Sequence, residues 1–60
     1  MKNKNKIYIQ VDLDNGNWKT VSATIDTSLS VLNHMKQASK IHIGKRIRAV
    51  DDNGQVVDQL

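Results

Sequence analysis

Sixty residues, 38% of them hydrophobic and only 3% aromatic, carry a formal net charge of +3 and neither cysteine nor proline. A chain this short forms one domain, near the lower size limit for a core held by burial alone. Without cysteine, disulfides and thiolate metal sites are excluded, which leaves regular local structure and self-association as sources of stability.

The opening Met1-Lys2-Asn3-Lys4-Asn5 is polar and lysine-rich. It reads as a disordered basic tail over residues 1–5, followed by a single domain over residues 6–60. No apolar run approaches the length of a membrane helix, and the lysine-rich start has no apolar signal-peptide core behind it. A soluble, cytoplasmic protein with no membrane partner is expected. A modest basic excess permits contact with nucleic acid, but its commoner meaning is solubilising charge.

From Lys6 to Leu13, Ile7, Ile9, Val11 and Leu13 alternate with Tyr8, Gln10 and Asp12, the period of a half-buried strand. Trp18 to Ile25 alternates in the same way, with Val21, Ala23 and Ile25 on one side and Trp18, Thr20, Ser22 and Thr24 on the other. Asp14-Asn15-Gly16 joins the two strands. A three-residue loop sets Ile9 against Val21 and Ile7 against Ala23, whereas a two-residue turn sets Ile9 against Ser22 and Val11 against Thr20. Apolar matching favours the three-residue loop.

Asp26-Thr27-Ser28 offers oxygens that cap a helix start, and Leu29 to Ile41 carries Leu32, Met35, Ala38 and Ser39 on one stripe. Lys36 and Lys40 fall on the solvated side, and Gly44 suits the left-handed residue that ends a helix. Lys45 to Val50 and Gln55 to Leu60 then form a second hairpin around Asp51-Asp52-Asn53-Gly54, a type I turn with a glycine bulge. Its register pairs Ala49 with Val57, Val50 with Val56, Arg48 with Asp58 and Arg46 with Leu60.

The fold class is therefore α+β: a ββαββ chain whose four-stranded, mostly antiparallel sheet has one helix packed on one face. Strand order stays open, because the crossover allows more than one arrangement. The helix is expected to cover Ile7, Ile9, Val11, Val21, Ala23, Ile25, Ile47, Ala49 and Val57. The other face gathers both aromatic residues, and Tyr8, Trp18, Thr20, Arg46, Arg48, Val50, Val56 and Leu60 are its candidate interface residues.

Two uses compete for that face. In the favoured one, two copies stack it and form a homodimer. In the other, Tyr8 and Trp18 stack on bases while Lys45, Arg46 and Arg48 hold phosphates of a single strand. Asp12 and Asp58 oppose the second, as does the absence of an aromatic-rich basic motif. A plainer alternative has Trp18 covering the stem of a neighbouring basic side chain with no partner.

No catalytic constellation is found, so a non-enzymatic role is expected, with no cofactor and no small-molecule substrate. His34 and His42 stand eight residues apart in sequence, too far along a helix axis to share one ion. The aspartates flank turns or a helix start, where hydrogen bonds to the backbone account for them. No serine sits in a nucleophile-elbow setting.

The run Arg46-Ile47-Arg48-Ala49-Val50-Asp51-Asp52-Asn53-Gly54-Gln55-Val56-Val57-Asp58, with the earlier Asn17-Trp18-Lys19, resembles a pattern in short uncharacterised bacterial proteins. In these a tryptophan-bearing strand precedes a helix and an Arg-x-Arg-x-Val-Asp hairpin. The resemblance spans most of the chain; it implies a free-standing bacterial domain and carries no activity.

Overall fold

The computed structural model describes residues 5–60. Its elements are β1 (Lys6–Asp12), β2 (Trp18–Ile25), α1 (Ser28–Ile41), β3 (Ile47–Val50) and β4 (Val56–Gln59). The strands form one sheet in the order β2-β1-β3-β4, with every neighbouring pair antiparallel. This is the ββαββ, α+β architecture expected. The helix carries the chain from the β2 edge across β1 to β3, and it packs on those three strands. β4 is exposed along its whole length. Of the expected basic tail, residues 1–4 lie outside the described residues, while the Asn5 carbonyl accepts the Asp26 N–H at 3.0 Å.

Both hairpins turn by the same chemistry. In the first, Leu13 N–H donates to the Asn17 carbonyl at 3.0 Å across a three-residue loop in which Asn15 and Gly16 take φ of 51° and 100°. In the second, Gly54 N–H donates to the Asp51 carbonyl at 3.0 Å and Gly54 adopts φ of 81°, the left-handed residue a type I turn with a bulge requires. One carboxylate oxygen stabilises each turn. Asp12 Oδ1 accepts the amides of Asp14 and Gly16, and Asp51 Oδ1 accepts those of Asn53 and Gln55, the Asx geometry that makes aspartate a turn former.

Beyond the turns the registers depart from simple alternation. Next to the first turn Val11 faces Lys19 and Gln10 faces Thr20, as the three-residue loop demands, but Ile9 then faces Ser22 and Ile7 faces Thr24. Val21 is the extra residue of a β-bulge. The second hairpin repeats this: Val50 faces Val56, as expected, after which Ala49 faces Asp58 and Arg48 faces Gln59, with Val57 left over. Each bulge transposes the rest of its strand to the opposite face.

The core is therefore narrower than alternation implies. Ile7, Ile9, Val11, Ile47 and Ala49 are buried beneath the helix residues Val31, Met35 and Ala38. Val21, Ala23, Ile25 and Val57, expected there, are exposed, Ile25 at 46% and Val57 at 48%. Both bulges occupy edge strands. An extra residue in β1 or β3, each paired on two sides, would break two ladders at once.

The helix is capped as its sequence suggests: the Thr27 hydroxyl accepts the Ser30 amide at 3.3 Å. At the other end the His42 amide donates to Ala38 at 2.8 Å, and Gly44 follows with φ of 82°. Its buried stripe runs through Val31 rather than Leu32, which is 37% exposed on the flank toward β4.

Candidate functional site: the open face of the sheet

The side of the sheet away from the helix is built in rows that run across the strands. At the end next to the first loop, Trp18 on β2 faces Asp12 on β1, whose amide donates to the Arg46 carbonyl at 3.0 Å. Asp12 is 6% exposed. Its Oδ2 accepts the Arg46 Nε at 3.1 Å and also pairs with Arg46 Nη2, while its Oδ1 holds the loop amides. Desolvation pushes the Asp12 carboxyl upward. The Arg46 hydrogen bond, the Gly16 amide, the Arg46 charge and the Asp14 amide together outweigh it and hold the group below its ordinary value.

Trp18 is the hub of this end. The Arg48 guanidinium carbon lies 4.0 Å from the ring centroid and that of Arg46 lies 5.6 Å away, both within cation–π range. The next row is a hydrogen-bonded chain. Arg48 Nε donates to Gln10 Oε1 at 2.8 Å, and Gln10 Nε2 donates to Thr20 Oγ1 at 3.2 Å. Gln59 stands beside Arg48 on β4.

The far end is apolar. Ala23, Tyr8, Val50 and Val56 are successive neighbours across the four strands, with Ile25 facing Lys6 one step beyond. Val50 is only 4% exposed, although the helix lies on the other side of the sheet, whereas Val56 is 47% exposed. The Asp52 carboxylate raises the Tyr8 phenol above its ordinary value, through its hydrogen bond first, then desolvation and charge.

The structure thus gathers seven of the eight candidate residues, Tyr8, Trp18, Thr20, Arg46, Arg48, Val50 and Val56, on one face. Leu60 does not join them. Its amide donates to the Ile47 carbonyl at 3.0 Å, which continues the shifted register and sets it opposite a core residue. The Val57 bulge also moves Asp58 off this face, so the expected Arg48–Asp58 pair is replaced by Arg48 with Gln10. Ala23 and Ile25 arrive instead, by way of the Val21 bulge. Nothing in the alternation of β2 marked them for this side.

Elsewhere, His34 Nδ1 lies 2.9 Å from the Ser30 carbonyl, an interaction within the helix. Among the described residues no three His, Asp or Glu side chains are grouped to hold a metal ion. Nor, among the described residues, is any helix long and apolar enough to cross a membrane. No protein-family model matches the chain, and neither does any curated protein or solved structure.

Proposed function

We propose that this chain is a non-enzymatic interaction module that self-associates as a homodimer through the open face of its sheet. The observation that carries this reading is the apolar end of that face, where Ala23, Ile25 and Val56 are exposed in the rows of the half-buried Tyr8 and the buried Val50, without cover from the helix. A second copy laid on this patch excludes water from it by the same surface on both partners, the isologous contact of a two-fold dimer. It also extends a core that eight buried residues supply in the monomer.

The polar end supports a non-catalytic role. The Asp12 carboxylate is occupied by Arg46 and two loop amides, and Gln10 by Arg48 and Thr20. Groups so bonded to one another serve to fix the face rather than to exchange protons with a substrate.

The decisive measurement is solution mass up to high micromolar concentration. The expected result is a dimer that Val56→Lys and Ile25→Lys convert to monomer with the fold intact, since both positions are about half exposed. A monomeric mass for the unaltered chain overturns the proposal.

A second reading rests on the proximity of Trp18 to Arg46 and Arg48, an arrangement also suited to single-stranded nucleic acid. It is disfavoured because Arg48 already covers the indole and Arg46 is paired with Asp12. Its signature is quenching of Trp18 fluorescence by mixed oligonucleotides, weakened by salt and by Arg46→Ala with Arg48→Ala. No quenching at low salt disposes of it.

A further inference from the structure

Where α1 ends, the chain exposes apolar surface that neither the core nor the open face uses. Ile41 and Ile43 are 75% and 82% exposed, the two most exposed large apolar residues among those described. Ile41 borders a shallow cleft with His42 and with Val21 on β2. The Lys45 amide donates to the His42 carbonyl at 3.2 Å, and its Nζ donates to the Leu13 carbonyl at 3.3 Å. These contacts bring the helix end, the β2 edge and the first loop together, so Val21 and Leu13, each more than a third exposed, lie at the same end.

The charge around this end is of one sign but for Asp14 in the first loop. From Thr27 to Val50 the chain holds five charged residues, Lys36, Lys40, Lys45, Arg46 and Arg48, and no carboxylate. Lys40 lies in the last helical turn, Lys45 follows Gly44, and Lys19 stands two residues before Val21 on β2. Among the described residues the one ion pair joins Arg46 to Asp12, so Lys19, Lys40 and Lys45 keep their charge uncompensated.

We propose that the C-terminal end of α1 docks on an anionic phospholipid surface, with Ile41 and Ile43 entering the boundary between headgroups and acyl chains. Lys19, Lys40 and Lys45 then lie at headgroup level, their charges drawn to the anionic groups while their stems follow the apolar tip inward. Binding of this kind needs no spanning segment, so the lack of an apolar run long enough to cross a bilayer does not bear on it. A second copy of the chain meets the same lysines with like charge. Nucleic acid is bound by stacking, which isoleucine does not supply. A folded acidic protein needs a pocket shaped to two protruding side chains, whereas a fluid lipid interface moulds to them. The proposal does not rest on the open-face dimer, whose residues lie on the other side of the sheet.

The test is flotation of the full chain with vesicles of pure phosphatidylcholine, or of equimolar phosphatidylcholine and phosphatidylserine, at low salt. The expected result is partitioning at least about tenfold stronger to the anionic vesicles, weakened by salt. Lys40→Gln with Lys45→Gln is expected to lower it about tenfold, and Ile41→Ser with Ile43→Ser by about tenfold or more. Leu29→Ser, at a position 71% exposed near the start of the helix, removes the same kind of surface elsewhere and is expected to change little. All these positions are exposed, and circular dichroism verifies that each variant keeps its fold. Four results overturn the proposal: no partitioning to the anionic vesicles, which turns the site toward an acidic protein; equal partitioning to both vesicles; an equal loss in Leu29→Ser; or a loss on removing the lysines with none on removing the isoleucines, which is the general attraction of a basic chain.

Discussion

Trp18 and Arg48 sit on strands separated by β1, yet the guanidinium carbon of Arg48 lies 4.0 Å from the indole centroid. Arg48 reaches over the intervening strand while its Nε stays hydrogen bonded to Gln10. The guanidinium is thereby held from below by an amide oxygen and from the side by an aromatic face. One edge strand and one inner strand are joined across the sheet without a backbone contact between them.

Removal of the ring tests that link. Trp18→Ala is expected to destabilise the fold by about 1–2 kcal/mol, from lost cation–π contact and lost cover of the arginine stems. Arg48→Lys keeps the charge but gives up the planar stacking surface, and a smaller loss is expected. Urea denaturation followed by circular dichroism measures both.

Asp12 predicts an acid limb. Its folded pKa is depressed below the ordinary 3.8, so the stability it contributes is complete above the unfolded value and is lost as pH falls through the folded one. Asp12→Asn is expected to flatten the melting temperature against pH in that acid window while lowering it at neutral pH, because Arg46 loses its charged partner. An unchanged acid limb in the variant counts against this assignment.

Tyr8 predicts an alkaline limb of opposite sense. The Asp52 carboxylate favours the neutral phenol, raising its pKa above 10.0 in the folded protein. The associated stability is complete below the unfolded value and disappears as pH rises through the folded one. Phenolate absorbance of the single tyrosine is expected to titrate at lower pH in Asp52→Asn. Identical titrations would remove the contact from consideration.

Met35 is fully buried where the helix crosses the sheet, in the cluster that includes Ile9 and Ile47. Met35→Ala is expected to cost about 2–5 kcal/mol by combining lost transfer energy with a cavity. A chain this small has little reserve to absorb that loss. The prediction is checked by thermal melting, with Leu29→Ala, at a position 71% exposed, as the control expected to change little.

Gly54 tests the turn chemistry. At φ of 81° with nothing within 4 Å of an added Cβ, Gly54→Ala meets only the intrinsic penalty of the left-handed region, about 1–2 kcal/mol. Gly54→Asn is expected to recover part of it. If alanine proves neutral, the turn has relaxed to another type.

Much of this protein is legible in its residues alone. Alternation through Ile7, Ile9 and Val11 marks β1; Thr27 and Gly44 bracket the helix; the two Asp-Asn-Gly segments define tight turns with left-handed glycines. These are local features, fixed by neighbouring residues and by which side chains the pleat or helix turn brings together. Seven of the eight candidate interface residues follow from the same alternation.

What the tertiary structure decided is the allocation of Ala23, Ile25, Asp58 and Leu60 to faces, together with the strand order. All four lie beyond a bulge at Val21 or Val57. A bulge leaves little trace in sequence, because its extra residue can be as apolar and β-branched as any strand residue. Its position is set where an edge strand, paired on one side only, can yield an unpaired residue to fit the twist of the inner strands beneath the helix.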